Sequence, residues 1–260
     1  MIRFVHLFNY AEGLSREEGE AWYQSQHVPR ARALPGVVGY RSWPGIDVGI
    51  PYPSAGAPTP HDQFVRRSEL QFEDAPAAIR ALRESAHLWT PSAPGTPGFR
   101  EFECMLLHEE PEFDLLRDAP PQQYKYMTLP LWWPKGPPEV DDEAEIFIDS
   151  YCIAYRPDVT LAAGEDWYLG HHTREGKQLP GMKHYRTWRT IRVAEELPPP
   201  LELNKWVRLT ELGMSPEAYR ATMVDDRTRI RFTPSPLGNV IGRWLNIDLR
   251  PGPGEDLMRA

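Results

Sequence analysis

The stretch WYQSQHVPRARALPGVVGYRSW at residues 22–43 decides the fold, because a second version of it follows 145 residues later in the same chain. That second stretch, at residues 167–188, reads WYLGHHTREGKQLPGMKHYRTW. Nine of the 22 aligned positions are identical without a gap. A long internal period of this kind indicates one structural unit used twice, so each half of the chain is expected to build the same arrangement of helices and strands.

Strand and helix signals follow the same order in both halves. In the first half they predict strands over 2–10, 37–46, 63–73 and 102–108, with helices over 15–33 and from Asp74 onward. In the second half they predict strands over 146–155, 182–193, 203–212 and 244–249, with helices over 163–178 and from Ser215 onward. A β-α-β-β-α-β order makes a four-stranded antiparallel sheet with both helices on one face. The sequence therefore predicts an α+β protein of two tandem ferredoxin-like repeats, whose uncovered sheet faces meet to close a barrel within one chain.

The repeat also sets the predicted domain organisation. The first repeat is expected over residues 1–110, a linker or arm over 111–144, and the second repeat over 145–260. Within the linker, the segment Tyr124–Trp133 is interpreted as an extra strand or arm laid on a neighbour. Each half places a proline-rich excursion between its second and third strands, at 51–60 and at 198–200.

Composition excludes several classes of function. The chain has 29 basic and 37 acidic residues, for a formal charge of −8, and no basic stripe of the kind that nucleic-acid binding requires. No apolar run approaches the ~18 residues of a membrane-spanning helix, so no membrane partner is expected. Met1 leads directly into a predicted strand without the features of a secretory signal, which predicts a cytoplasmic protein.

Metal and cofactor signatures are absent from the sequence. Cys104 and Cys152 are the only cysteines, too few for a disulfide framework or a zinc site. His171 and His172 are adjacent, and neighbours on a helix diverge by ~100°, so they lack the spacing of helical metal ligands. No glycine-rich phosphate loop or haem-attachment pattern occurs. We therefore expect no metal and no cofactor.

The repeated stretch resembles a known signature. The run Trp-Tyr-x3-His, Leu-Pro-Gly-x3-Tyr in both copies is similar to that of EthD-like proteins in the dimeric α+β barrel superfamily. The second copy departs from the pattern, with Arg174 at the position of Pro29. The resemblance implies a pseudo-dimer of the dimeric-α+β-barrel type with a cofactor-free cavity. The chemistries it implies are lactone isomerisation, cyclisation, dehydration, decarboxylation and quinone-forming oxygenation.

Strand alternation gives a first assignment of the sheet faces. We expect the smaller apolar residues, such as Val5, Leu7 and Cys152, to meet the helices, and the alternate set to line a chamber between the sheets. The predicted chamber residues are Phe4, His6, Phe8, Tyr10, Asp149, Tyr151, Tyr155, Trp206, Arg208, Thr210, Trp244, Asn246 and Asp248, with Arg66 added by repeat equivalence.

Three histidines are candidates for moving a proton, because an imidazole with a pKa of ~6.5 can take and return one near neutral pH. His27 and His172 lie in the repeated motif, and His6 follows from alternation alone. On a regular helix His27 would face away from the sheet, so a structural imidazole is the competing interpretation for each of the three. Tyr40 and Tyr185 are candidate donors to a developing oxyanion.

Two arginines, Arg66 and Arg208, are candidates for holding a carboxylate or phenolate. Buried salt bridges, from Arg66 to Glu69 and from Arg208 to Asp248, are the alternative. Tyr151, Asp149, Trp206 and Asn246 complete the predicted substrate-binding set.

These residues predict a cofactor-independent lyase, acting by decarboxylation or elimination, or an isomerase. The expected partner is a small anionic aromatic or lactone-type acid, and a homodimer is compatible with the sequence. A cofactor-free monooxygenase on an aromatic, polyketide-like substrate and a non-catalytic ligand-binding module are the alternatives.

Overall fold

A computed structural model describes residues 1–50, 64–120, 133, 136–224, 235, 237–238 and 240–259. The proline-rich excursion predicted at 51–60 lies outside the described residues, as does the predicted arm Tyr124–Trp133 apart from Trp133.

The elements follow the predicted β-α-β-β-α-β order in each half, with one short strand added after each. In the first half they are β1 (Ile2–Tyr10), α1 (Arg16–Trp22), a π-helical turn (Tyr23–His27), α2 (Val28–Arg32), β2 (Val37–Pro44), β3 (Arg66–Phe72), α3 (Ala75–Glu84), a 3-10 turn (Ala86–Trp89), β4 (Phe99–His108) and β5 (Phe113–Asp114). In the second half they are β6 (Phe147–Tyr155), α4 (Leu161–Trp167), a π-helical turn (Tyr168–His172), α5 (Thr173–Gly176), β7 (His184–Arg189), β8 (Arg208–Met214), α6 (Pro216–Tyr219), a π-helical turn (Arg220–Val224), β9 (Ile241–Leu249) and β10 (Glu255–Asp256).

Two antiparallel sheets, each of five strands, organise the molecule. One has the order β10-β2-β3-β1-β4 and the other has the order β5-β7-β8-β6-β9. The α+β class is confirmed, but the prediction of four strands in each sheet is wrong by one. The fifth strand comes from a distant part of the chain: β5 follows β4 in sequence yet pairs with β7 of the other sheet, and β10 follows β9 yet pairs with β2.

The sheets are hydrogen-bonded to each other along two seams. Gly45 at the end of β2 bridges Leu249 of β9, and the amide of Ile46 donates to the carbonyl of Asp248 at 2.8 Å. On the other side, the amide of Ile191 beyond β7 donates to Leu106 of β4, also at 2.8 Å. The two sheets therefore close on each other in a barrel-like arrangement.

The prediction of which sheet face meets the helices is wrong. Val5, Leu7 and Cys152 pack in a core that joins residues of both sheets, whereas Phe4 and Phe8 belong to the core beneath the helices of the first half. Every residue of β1 is buried, so alternation cannot distinguish the two faces by polarity. Both cores mix aliphatic and aromatic side chains, so residue size does not assign the faces either.

Most of the residues predicted to line a chamber between the sheets therefore lie elsewhere. His6, Arg66, Asp149, Tyr151, Arg208 and Asn246 lie on the helix-facing sides of their sheets, and Trp206 lies in the core between the sheets. No helix in the described ranges is long and apolar enough to cross a membrane.

Candidate active site

A π-helical turn brings His27 toward the sheet. Helix α1 begins at a capping box, in which Ser15 and Glu18 bond each other's backbone amides. The helix then widens over Tyr23–His27, where the amide of Val28 donates to the carbonyl of Tyr23, five residues back. The expectation that His27 faces away holds only for a regular α-helix. In the widened turn the His27 ring is 3% exposed and stacks on Tyr23, with 5.5 Å between ring centroids.

The second repeat has the same widened turn at Tyr168–His172. It contains Arg174 where the first copy has Pro29, so the proline is not what causes the turn. His172 stacks on Trp167 at 5.0 Å between centroids, and burial together with His171 lowers the pKa of His172 to about 4. Both motif histidines are thus placed under the helices by the same local geometry.

His6 and His27 lie together inside an aromatic cage. Their ring centroids are 6.4 Å apart, and the ring centroid of Trp89 lies 4.8 Å from that of His6 and 4.9 Å from that of His27, edge-on to both. Phe99 meets His27 edge-on at 4.8 Å. The remaining rings around the pair are Phe4, Phe8, Trp22, Tyr23 and Phe102.

The two imidazoles are neutral near pH 7. Burial and the neighbouring His27 lower the pKa of His6 well below its usual value, and burial with Arg30 lowers the pKa of His27 to about 3. Nε2 of His27 has no hydrogen-bond partner among the described residues, and the two ring nitrogens of His6 have none of good geometry, although the nearby backbone of Phe4 favours the protonated form and partly opposes the lowering of the His6 pKa. A buried polar atom without a partner lowers the free energy of unfolding by about 1–3 kcal/mol. Such atoms are rare in folded proteins, and a functional role is one explanation for them.

A chain of hydroxyl groups runs beside the cage. The phenol of Tyr23 lies 2.8 Å from that of Tyr40 and 2.7 Å from Ser68 Oγ, and Ser68 Oγ lies 2.8 Å from Ser42 Oγ. Arg66 donates to Ser42 Oγ at 2.8 Å and ends the chain. Burial raises the pKa of Tyr23 and of Tyr40, so both remain protonated and available as donors.

Arg66 is held by two carboxylates. It pairs with Glu20 of α1, and with Glu255 of β10 at 2.8 Å. Arg66 therefore forms salt bridges, as the alternative interpretation expected, but not with Glu69. Glu69 pairs with Arg3 and Arg67 instead. The Glu255 side chain is 45% exposed, so it is the partner more accessible to solvent.

Arg208 repeats this arrangement in the second half. It pairs with Glu165 of α4 and with Glu112, just before β5, each at 2.6 Å, and not with Asp248. Its hydroxyl chain runs through Thr187, Thr210, Tyr168 and Tyr151. The two arginines are thus equivalent in environment as well as in sequence position.

A glycine in each repeat allows this pairing. A Cβ on Gly19 would lie 2.3 Å from the ring of Tyr10, and a Cβ on Gly164 would lie 2.4 Å from the ring of Tyr155. Because neither glycine has a side chain, each helix lies directly against its strand. The next residue, Glu20 or Glu165, then reaches the arginine.

The second half differs from the first at the position of His6, where it has Tyr151. Nearby, burial and the carboxylate of Asp248 raise the pKa of Asp149 to about 8. Asn246 donates to Asp149 at 3.2 Å, and its own amide oxygen has no partner among the described residues. Tyr185 is buried in the same core. This half has a protonated carboxyl and the motif histidine His172, with Tyr151 in place of the imidazole that His6 supplies in the first half.

Several site residues were missed by sequence reasoning, although the repeat contains their signal. Glu20 and Glu165 are aligned at the same offset of 145 as the motif, and so are Ser42 and Thr187. Trp89 has no such counterpart, so only the fold shows that it touches both histidines. No group of three or more His, Cys, Asp or Glu side chains suited to a metal ion is found in the described part of the chain.

The chain has few recognisable sequence similarities to known proteins. No protein-family model matches the chain, and no curated protein does so either. One solved structure similar to this chain is described as a crystal structure study of an anthrone oxidase-like protein. The two chains share 10% sequence identity with a TM-score of 0.45, over 98% of this chain and 93% of that one.

Proposed function

We propose that the protein is a cofactor-independent enzyme that moves protons on a small aromatic or lactone-type carboxylic acid, as a lyase or an isomerase. The observation that carries the proposal is the pair of buried, neutral imidazoles, His6 and His27, with unpartnered nitrogens inside an aromatic cage. A neutral imidazole is the form that accepts a proton, and an unpartnered nitrogen has its lone pair or its N–H free for substrate.

The surroundings favour an aromatic acid. Trp89 and the phenylalanine rings provide faces and edges for a planar molecule. Tyr40 and Tyr23 would donate hydrogen bonds to negative charge that develops on the substrate, in a site of low dielectric constant. The carboxylate of the substrate would take the place of Glu255 on Arg66, because Glu255 is the more exposed of the two carboxylates held there.

The architecture fits the same proposal. We interpret the two halves as tandem EthD-like ferredoxin-like units that together form a pseudo-dimer, with the linker between them at 111–144. The first unit contains the imidazole pair, and the second has Tyr151 in place of His6. On this interpretation the first unit is the site of proton transfer.

The test is turnover on a panel of hydroxylated aromatic carboxylic acids and of lactone acids, with products followed by liquid chromatography and mass spectrometry. We expect His27→Phe and His6→Phe each to lower kcat by about 10²-fold or more, the usual contribution of a general acid or base. Phenylalanine suits the aromatic cage, so both variants should remain folded. The matched control is His87→Gln, since His87 is exposed on the neighbouring turn.

The possible outcomes distinguish proton transfer from oxygenation and from ligand binding without catalysis. Unchanged turnover in both cage variants would exclude proton transfer by these imidazoles. Oxygen consumption matched to product would identify a monooxygenase instead, and tight binding without any product would identify a ligand-binding module.

A further inference from the structure

A cavity lies between the two sheets, on the opposite face of β1 and β3 from the histidine cage. Its volume is about 460 Å³, within the range of pockets that bind small molecules. The lining residues that matter for its chemistry are Arg3, Arg41, Trp43, Arg67, Trp188 and Arg186. None of these belongs to the candidate active site described above.

The cavity is strongly basic in an acidic protein. Six guanidinium or ammonium groups line it, against three carboxylates, whereas the whole chain has a formal charge of −8. Arg41 and Arg250 have no carboxylate partner in the part of the chain that the structure describes, and Nε of Arg186 lies 3.6 Å from Asp114, which is not among the lining residues. A recess that concentrates positive charge raises the local concentration of anions.

Arg3 contributes an unmet donor to the cavity wall. The side chain is 8% exposed, and its Nη1 donates to both oxygens of Glu69, at 2.9 and 3.0 Å. Its Nε donates to the carbonyl of His108 at 3.2 Å, but Nη2 is buried and has no partner among the described residues. A guanidinium N–H left unpaired in a cavity wall indicates that an acceptor from outside the chain belongs there.

The two sheets present matching groups to the cavity. Arg41 and Trp43 of β2 stand at the repeat positions of Arg186 and Trp188 of β7. Each tryptophan has a guanidinium over one face: Arg67 lies 5.2 Å from Trp43, and Arg3 lies 4.9 Å from Trp188. Ile148 and Leu249 add apolar surface to the lining.

We propose that this cavity binds a small organic molecule carrying two acidic groups. Arg41 and Arg186, from opposite sheets, would each hold one acidic end, Arg3 Nη2 would donate a further hydrogen bond, and the carbon body would lie against the tryptophans. Carboxylate and phosphate share this chemistry. The site is independent of the proposed acid-base function, because it lies on the other side of the sheet.

The test is isothermal titration calorimetry on the full chain with four probes: glutarate, phthalate, phosphoglycolate and benzoate. We expect at least one of the three doubly acidic probes to bind and the singly charged benzoate to bind at least about tenfold more weakly. The double variant R41Q/R186Q should weaken binding of that probe by about tenfold or more, as expected when charge-assisted hydrogen bonds are lost. The control R80Q/R100Q removes the same charge from exposed positions away from the cavity.

Comparison of the two dicarboxylates with phosphoglycolate, which carries one phosphate and one carboxylate, decides which acidic group is preferred. Absence of binding by all three doubly acidic probes would overturn the proposal, and so would an equal loss of affinity in R80Q/R100Q, which would indicate only long-range charge. H27F should bind the probe as wild type does, so failure of one proposal is distinguishable from failure of the other.

Discussion

Asp149 is a residue whose protonation couples to stability. Burial and the nearby Asp248 raise its pKa from 3.8 to about 8, so the native protein holds a proton there at neutral pH. The unfolded chain releases that proton above pH 4. Because the native state binds more protons than the unfolded state between these values, the contribution of this group to the free energy of unfolding falls as the pH rises from about 4 to 8.

We therefore expect Asp149→Asn, which mimics the protonated carboxyl, to be more stable relative to wild type at pH 8 than at pH 5. The substitution should remove a pH dependence of the free energy of unfolding that is at most about 1.4 kcal/mol per pH unit. Urea denaturation at pH 5, 6.5 and 8 measures it, with the exposed Asp142→Asn as control. A parallel pH dependence in wild type and Asp149→Asn would show that the group titrates normally.

At the residue scale, the sequence identifies the chemical groups better than their surroundings. His27, Tyr40 and Arg66 could be selected because the repeat conserves their positions between halves. Their partners depend on contacts between distant segments, such as Glu255, which is 189 residues from Arg66. Alternation within one strand has no information about such contacts.

At the scale of elements, the edge strands exchanged between the halves are the main addition to the predicted fold. The amide of Leu257, just after β10, donates to Tyr40 at 2.9 Å, and the amide of Leu115, just after β5, donates to Tyr185 at 2.7 Å. Both leucine side chains are buried, at 3% and 1% exposure. Each exchanged segment is thus fastened by a backbone bond and an apolar anchor.

Truncation of one anchor tests this role. Leu257→Ala should lower the free energy of unfolding by about 2–3 kcal/mol, since a buried leucine is removed from the core of the first half. Met258→Ala is the matched control, because Met258 is 38% exposed and should change stability by less than about 0.5 kcal/mol. Equal effects in guanidinium denaturation would mean that the segment is not anchored through Leu257.

The order of the elements was predictable from sequence, but their local geometry was not. The strand predicted over 2–10 is confirmed, and the helix predicted over 15–33 corresponds to Arg16–Arg32. The π-helical turn within it could not be predicted, because a wheel with 100° per residue assumes regular α-helix throughout. One additional residue in a turn is enough to change which side chains meet the sheet.

At the scale of the whole molecule, a buried ionic bridge joins the two sheets. Arg67 of β3 pairs with Glu211 of β8 and also donates to Ser150 at 2.9 Å. Burial opposes ionisation of Glu211, but the charges and hydrogen bonds of Arg67 and His184 lower its pKa to about 2. The carboxylate therefore depends on the opposite sheet for its counter-charge.

Replacing Arg67 should destabilise the folded protein. We expect Arg67→Met to lower the free energy of unfolding by about 3 kcal/mol, because Glu69 and Glu211 lose a shared partner. A double-mutant cycle with Glu211→Gln should give a coupling above about 1 kcal/mol. The exposed pair Arg83 and Glu195 supplies the control cycle, R83M with E195Q, for which less than about 1 kcal/mol is expected. Similar couplings in the two cycles would argue against a structural role for the bridge between the sheets.

The exchanged edge strands also make each half incomplete when alone. A fragment ending at Asp118 would contain β5, which pairs only in the second sheet, and a fragment beginning at Glu145 would contain β10, which pairs only in the first. Each piece would therefore carry the segment that its counterpart lacks. Two such fragments, produced separately and then mixed, should reassemble, which would make this chain a natural starting point for a split-protein complementation pair.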